Sequence, residues 1–322
     1  MKTMTTLTNI ADVLNGGKCI LILPHIHPDG DTIGSSLALL LALKKIGKKA
    51  TILVEDEVPS SLDFLPLEYI YHELPQDVCP DVIVAVDSSD LDRLGTRADY
   101  LKHAARTINI DHHITNVQFA EYNHIDVKAA ATGEIIYELL QKMNIAIDKE
   151  IATCIYCALS TDTGSFKYDN TTAKTHRVTA DLLEYGLDLN EITVRLYQNK
   201  PYEKLKLLGE VLNTLELHYA GKLSILSVTQ DMIEKVKADP TDADGLVEFA
   251  RDIEGVEAAV LLKELSPAEI KVGLRSKYKV DVSKVAADFG GGGHRKASGC
   301  TLQGSIQEAG KQIIKAFKFL ER

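Results

Sequence analysis

Cys19-Ile20-Leu21-Ile22-Leu23-Pro24-His25-Ile26-His27-Pro28-Asp29-Gly30-Asp31-Thr32-Ile33-Gly34 is the stretch whose reading decides the fold. Its first half is an apolar, partly β-branched run of the kind that forms a buried parallel strand. Its continuation, Ser35 to Leu43, reads as a helix laid back on the sheet. The polar residues between them therefore fall at the carboxyl end of a strand, where open α/β sheets bind ligands. His25, Asp29 and Asp31 are metal-binding residue types, and Gly30 between the two acids can supply a bend so that both face one pocket. A helix-capping Asp is the plainer reading of the same residues. Two carboxylates this close also repel each other unless a cation joins them.

Outward from that stretch, further strand-like runs recur at 49–54, 82–86 and 107–110. Helix-like segments lie at 33–46, 132–143, 149–160 and 172–185. Strands alternating with helices predict an α/β domain whose mostly parallel sheet is flanked by helices, over residues 1–189. Residues 190–216 read as polar helices broken at Lys200-Pro201, a helical linker. From 217 to 322 the pattern restarts, with strands at 222–228, 256–263 and 269–274 and helices near 230–237, 243–251, 281–289 and 305–320. This predicts a smaller C-terminal α/β domain across a cleft from the first.

The composition is that of an ordinary globular chain, 45% hydrophobic and 25% charged, without repeats at solenoid periods. No apolar run is long enough to span a bilayer, and the start lacks a signal-peptide pattern. Five cysteines, odd in number and mostly in apolar runs, argue against a disulfide framework and for a cytoplasmic setting. The net charge of −10 argues against binding long duplex nucleic acid. A small nucleotide substrate stays compatible with it, because charges beyond about 8 Å are largely screened at physiological salt.

Three more acidic or imidazole motifs stand at the ends of predicted elements. Asp87 ends Val82-Ile83-Val84-Ala85-Val86, Asp111-His112-His113 ends Thr107-Ile108-Asn109-Ile110, and Asp162 ends the apolar segment that begins at Ile151. A lone Asp after a strand is ordinarily a turn residue; corresponding positions on neighbouring elements allow these to converge. Asp29, Asp31, Asp87 and Asp162 together carry four negative charges, which two divalent ions about 3.5–4 Å apart would neutralise. Carboxylates with imidazoles and no thiolate favour Mn²⁺, with Mg²⁺ or Co²⁺ as substitutes, over a structural zinc. A hydroxide bridging the two ions could attack phosphorus in line, so hydrolysis of a phosphate ester is the chemistry expected.

These motifs resemble those of the DHH phosphoesterases. Asp111-His112-His113 is the triplet that gives that family its name, and His25-x-x-x-Asp29-x-Asp31, Asp87 and Asp162-Thr163-Gly164 match in order. The resemblance implies one metal site from His25, Asp29 and Asp87, and a second from Asp31, Asp87, His112 and Asp162, with Asp87 bridging. It makes Asp87 and His113 the catalytic pair, His113 facing the phosphate as stabiliser or proton donor. Near the end of the chain, Gly290-Gly291-Gly292-Gly293-His294-Arg295-Lys296-Ala297-Ser298-Gly299 resembles the glycine-rich motif of the DHHA1 substrate-binding domain. Gly291, Gly292, Gly293, His294 and Arg295, with Arg275 and Ser276, would then grip the substrate phosphate through backbone N–H groups and guanidinium forks.

Among DHH proteins the length and the single DHH–DHHA1 pairing are most similar to the group that degrades short oligoribonucleotides (nanoRNA, dinucleotides) to mononucleotides and 3′-phosphoadenosine 5′-phosphate (pAp) to AMP. The implied partner is a short oligonucleotide or nucleotide, with no membrane partner and with a homodimer as the implied assembly. Relatives that cleave cyclic or linear dinucleotides are the alternative enzyme class, and a nucleotide-sensing binding protein is the non-enzymatic one. Cys154-x-x-Cys157 has redox spacing but sits in an apolar helical run, and Asp288-Phe289-Gly290 lacks the other kinase motifs. Phe166 and Tyr168 read as packing, and His27 takes no role.

Overall fold

The computed structural model describes residues 5–321, and the chain divides between Asn199 and Lys200 into two compact units. In the first unit β1 (Cys19–Pro24), β2 (Lys49–Leu53), β3 (Ile70–Tyr71), β4 (Val82–Val86), β5 (Arg106–Asp111) and β6 (Tyr122–Ile125) form one sheet. Its spatial order is β3-β2-β1-β4-β5-β6, and every neighbouring pair is parallel. The order reverses between β1 and β4, which makes that junction the topological switch point of a doubly wound sheet. His25 follows β1 and Asp87 follows β4, so the sheet delivers both to that point.

One face of the sheet carries the larger core. Ile20, Ile22, Val82, Val84, Ile108 and Ile110 pack there against α1 (Leu7–Gly16), α2 (Gly30–Lys45), α3 (Thr132–Lys142), α4 (Lys149–Asp162) and α5 (Ala173–Leu183). Leu21, Leu23, Ile83 and Ala85 point the other way into a smaller cluster that includes Leu94, from the 3₁₀ stretch Asp92–His103. Residues 30–43 of α2 are buried on every side, as expected of a helix at the centre of a layer. Close approach to α4 requires small residues: a Cβ on Gly34 would lie 2.4 Å from the Cys154 carbonyl, and one on Gly30 would lie 2.5 Å from the Thr161 side chain. Gly30 is thus the first residue of α2, kept small for α4, and not the bend predicted from the sequence.

The stretch 190–216 divides between the units. Helix α6 (Leu189–Thr193) and the π turn Val194–Gln198 lie in the first unit, and α7 (Tyr202–Leu212) lies in the second, burying Leu207 and Val211. The second unit continues with β7 (Glu216–His218), β8 (Leu223–Val228), α8 (Gln230–Val236), α9 (Val247–Arg251), β9 (Ala258–Ser266), β10 (Glu269–Ser276), α10 (Val282–Ala287), β11 (Gly292–His294), β12 (Ala297–Gln303) and α11 (Ile306–Ala316). Its sheet runs β11-β12-β10-β9-β8-β7; only β8 and β9 pair in parallel. Strands β3, β6, β7, β11 and β12 carry no clear signal in the sequence, because they are short or rich in Gly, Ser and Ala. Cross-strand pairing holds them, and local propensity contributes little. No helix among the described residues is long and apolar enough to cross a membrane.

Candidate metal centre and active site

The loops after β1, β4 and β5 and the end of α4 bring the sequence-predicted groups of the first unit together. His25, Asp29 and Asp87 offer ligand atoms within 4.8 Å of one another, and Asp31, His112 and Asp162 do the same. Asp87 serves both sets: its Oδ2 lies 3.4 Å from His25 Nε2, and its Oδ1 lies 3.6 Å from His112 Nε2. Around them, His25 Nε2 stands 3.7 Å from Asp29 Oδ2, and His112 Nε2 stands 3.8 Å from Asp31 Oδ2 and 3.6 Å from Asp162 Oδ2. Two ligand atoms each about 2.1 Å from one ion stand roughly 3.0–4.2 Å apart as the angle between them opens from a right angle to a straight line, so these separations match a shared cation better than direct hydrogen bonds. The donor set, carboxylate oxygens and imidazole nitrogens, therefore fits divalent cations.

The fold elements hold each of these side chains in place. Asp29 caps α2: its Oδ1 accepts the N–H groups of Asp31 and Thr32, both at 3.0 Å, while Oδ2 stays turned to His25. The capping reading of this residue is realised through one oxygen, and the other faces His25. Asp31 is 1% exposed, and Oδ1 accepts Ser35 Oγ at 2.9 Å and Gly133 N at 2.9 Å, with Thr132 N reaching Oδ2 at 2.7 Å. Its charge thus sits at the amino ends of α2 and α3, where helix dipoles favour it. Asp162 sits at the opposite kind of place, the carboxyl end of α4, where a negative charge is disfavoured without a cation nearby.

The histidines are oriented by their other nitrogens. His25 Nδ1 lies 2.7 Å from the Ile26 carbonyl and His112 Nδ1 lies 3.3 Å from that of Ala129, which leaves both Nε2 atoms facing the carboxylates. His113 Nδ1 lies 2.6 Å from Asp111 Oδ1, and Asn116 Nδ2 donates to the other oxygen of Asp111 at 2.6 Å. The third member of the triplet is therefore a positioned imidazole beside Asp87, at 3.6 Å. Backbone strain accompanies the cluster: Asp87 has φ +58° and His27 has φ +52°. Such residues cost about 1–3 kcal/mol each and persist where surrounding contacts hold them.

Burial pushes the His25 imidazole down, yet the bonds and charges of Asp29 and Asp87 outweigh it and raise its pKa to about 10. His112 follows the same pattern, burial opposed by Asp87, Asp162 and Asp31, and reaches about 9. Burial and the neighbouring acids Asp87 and Asp162 hold Asp31 well above the usual carboxylate range. Burial also raises Asp162, against the pull of His112, to about 6. Asp87 goes the other way, its burial overcome by His25, His112 and His113.

Sequence reading missed the residues that hold these ligands. Thr132 Oγ1 donates to Asp87 Oδ1 at 2.8 Å while its N–H serves Asp31, so one uncharged residue touches both buried acids. Asn170 Nδ2 donates to the Asp162 and Ala130 carbonyls, 3.0 Å each, tying the end of α4 to the loop before α3. Nothing in Ala129-Ala130-Ala131-Thr132-Gly133 announces this; the only signal is a Thr opening a predicted helix. The decoys resolve as packing. Cys154 and Cys157 are free and buried, burial raising both thiols. Phe166 packs against the rings of Tyr156 and His176, with centroids 5.9 and 5.7 Å away.

In the second unit the glycine-rich motif is a β-hairpin, with Gly292, Gly293 and His294 paired to Gly299, Ser298 and Ala297. A Cβ on Gly291 would lie 2.1 Å from the Gly299 carbonyl, and Gly293, at φ +132°, has no room beside Ala297 and Ser298. Those two glycines are required by strand packing, whatever anion the backbone also meets; Gly292 has open space beside it. Arg275 is half-buried and opposite Ala297 in the sheet, and Arg295 is exposed. Ser276 is buried, and its hydroxyl donates to the Val280 carbonyl at 2.8 Å, a turn-forming role. The His294 side chain lies outside the described residues.

Known proteins match along the whole chain. Residues 19–159 match the N-terminal domain of the DHH family, and residues 222–320 match the DHHA1 domain. The bifunctional oligoribonuclease and PAP phosphatase NrnA of Thermus thermophilus is 37% identical over 96% of this chain and 92% of its own length. Its namesake from Bacillus subtilis is 28% identical over 88% and 89%. An exopolyphosphatase-related protein of Bacteroides fragilis superposes with a TM-score of 0.89 at 28% identity, covering 98% of this chain and 97% of that one. With the triplet, the acids and the histidines gathered at the switch point, the chain belongs to the DHH family of phosphoesterases, joined to a DHHA1 domain.

Proposed function

We propose that this protein hydrolyses short oligoribonucleotides to mononucleotides and removes the 3′-phosphate of pAp to leave AMP, in a manganese-dependent reaction. The observation that carries the reading is Asp87, whose two oxygens face two separate imidazole–carboxylate sets. The relatives named for both activities support the substrate class, since the chain spans nearly all of their length. Oxygen and imidazole donors with no thiolate support Mn²⁺ over zinc.

His25, Asp29 and Asp87 would hold one ion and Asp31, Asp87, His112 and Asp162 the other. Bound there, the pair would supply an activated water-derived nucleophile and neutralise charge on the phosphoryl oxygens. Thr132, Ser35 and the backbone of Gly133 hold Asp31 and Asp87 rigid, so the acids need not reorganise during reaction. His113, oriented by Asp111, gives a proton to the departing 3′-oxygen. Arg275 and Arg295, beside the glycine hairpin, bind the terminal phosphate as charge-assisted forks.

Incubation with Mn²⁺ and a panel of pAp, 5′-phosphorylated dinucleotides, a five-mer, long RNA, cyclic dinucleotides and pyrophosphate tests the reading. Turnover of pAp and the short oligomers, with long RNA slow, is expected. Turnover confined to pyrophosphate or cyclic dinucleotides would overturn it.

A further inference from the structure

The two reactions proposed above differ in one substituent. In pAp three oxygens of the 3′-phosphate are unesterified, whereas in a dinucleotide one of those three is the 5′-oxygen of a second nucleoside. In both, water adds across the P–O3′ bond: its oxygen joins phosphorus, the bond to the 3′-oxygen breaks, and that oxygen leaves with a proton. A single metal centre serving both must therefore have a place for a second nucleoside that one substrate leaves empty.

We infer that the pocket lined by Asn116, Val117, Gln118 and Phe119 receives the nucleobase of that second nucleoside. The inference rests on the function proposed above. The pocket has a volume of about 310 Å³, at the small end of the range for ligand sites. It is formed by the loop that begins with the Asp111-His112-His113 triplet at the carboxyl end of β5 and leads on to β6. Its first residue, Asn116, is tied to the group that orients His113. Asn116 Nδ2 donates to Asp111, the orienter of His113, and also to the Ser88 carbonyl and Asn109 Oδ1, at 3.0 and 2.8 Å. Asn116 Oδ1 accepts the Gln118 N–H at 2.7 Å, and Val117 N donates to the Ser89 carbonyl at 2.9 Å, so the loop is fastened to the segment just after Asp87.

The lining has the chemistry of a base site. Val117 is 64% exposed and supplies an apolar wall, while Phe119 packs against the core cluster behind the sheet and supplies a firm second one. The Gln118 side-chain amide has no hydrogen-bond partner among the described residues, leaving one donor group and one acceptor for a heterocycle's edge. Stacking on an aromatic ring, with hydrogen bonds along an edge, is the usual mode for single-stranded bases, and Phe119 and Gln118 offer one of each. Ile114, 80% exposed in the same loop, extends the apolar rim.

The test compares pAp with 5′-phosphorylated diadenylate (pApA) on the Mn²⁺-loaded full chain, wild type against Val117→Ser and Gln118→Ala. Both positions lie on the loop surface, and the pAp reaction itself reports folding and metal loading. The inference expects kcat/KM for pApA to fall on the order of tenfold in the paired variant, mainly through KM, with pAp changed less than about twofold. Equal loss on both substrates, or no loss on either, would overturn the pocket assignment while leaving the proposed function standing. A wild-type chain that turns over neither substrate would overturn both.

Discussion

The two regions that the sequence marks for chemistry are built on opposite principles. At the sheet edge of the first unit, charged residues from four separate elements converge, and small uncharged ones (Thr132, Gly133, Ser35) hold them in place. In the hairpin of the second unit the residues the motif shares are glycines, and Gly291 and Gly293 are demanded by the strand beside them. A motif of charges reports its chemistry directly, because burying like charges together is unfavourable unless something uses them. A motif of glycines reports first that backbones come close, and only second what else the backbone meets.

The largest expected effect separates the regions at once. Asp87→Ala removes the carboxylate common to both ligand sets and should lower turnover by about 10³-fold or more, several kcal/mol of charge stabilisation being lost. Calorimetry should show both cation sites weakened together. Thr132→Val keeps shape but withdraws the hydroxyl from Asp87; a 10–100-fold loss in metal affinity is expected from such supporting bonds. Metal affinity unchanged in that variant would show that Asp87 needs no support from α3.

In the second unit, Arg295→Ala should raise KM by about tenfold with kcat nearly constant, as befits a charge-assisted contact to a phosphate. A KM that stays put would remove Arg295 from the phosphate grip. Gly291→Ala should cost about 1–3 kcal/mol of stability through overpacking, read as a lowered unfolding midpoint, with Mn²⁺ affinity untouched. The comparison would collapse if that glycine tolerated a methyl group.

Acidity gives a subtler contrast. His25 and His112, raised to about 10 and about 9 in the metal-free chain, are protonated at neutral pH, and a cation must displace those protons. Apparent metal affinity should therefore rise with pH between pH 6 and 8, by up to about tenfold per unit for each proton displaced. Calorimetry in buffers of different ionisation enthalpy counts the released protons. A pH-independent affinity would mean the imidazoles are not ligands.

What the sequence made legible follows the same division. The alternation of β1, α2, β2 and β4 was readable because each is a continuous apolar run with a clear period. His25, Asp87, His112 and Asp162 were readable as a convergent group because each closes or directly follows such a run, and Asp29 and Asp31 because they follow the first run and open the helix behind it. Thr132, Asn116 and Asn170 were not, since their importance lies in which groups their hydrogen bonds reach in the folded chain, and a Thr or Asn carries no local mark of that. Strands β11 and β12 were hidden for a related reason: Gly, Ser and Ala form strands only when a neighbour pairs with them. Gly30 was misread because a glycine between two acids suggests a turn, while its real constraint, the side chain of Thr161, comes from another helix.

The claim beneath all of this is that one carboxylate, Asp87, joins two cations. Electron paramagnetic resonance at two equivalents of Mn²⁺ tests it most directly. An exchange-coupled pair in the wild type, replaced by isolated-ion signals in Asp87→Ala, is the result expected. Isolated Mn²⁺ signals from the wild-type protein at that loading would contradict it.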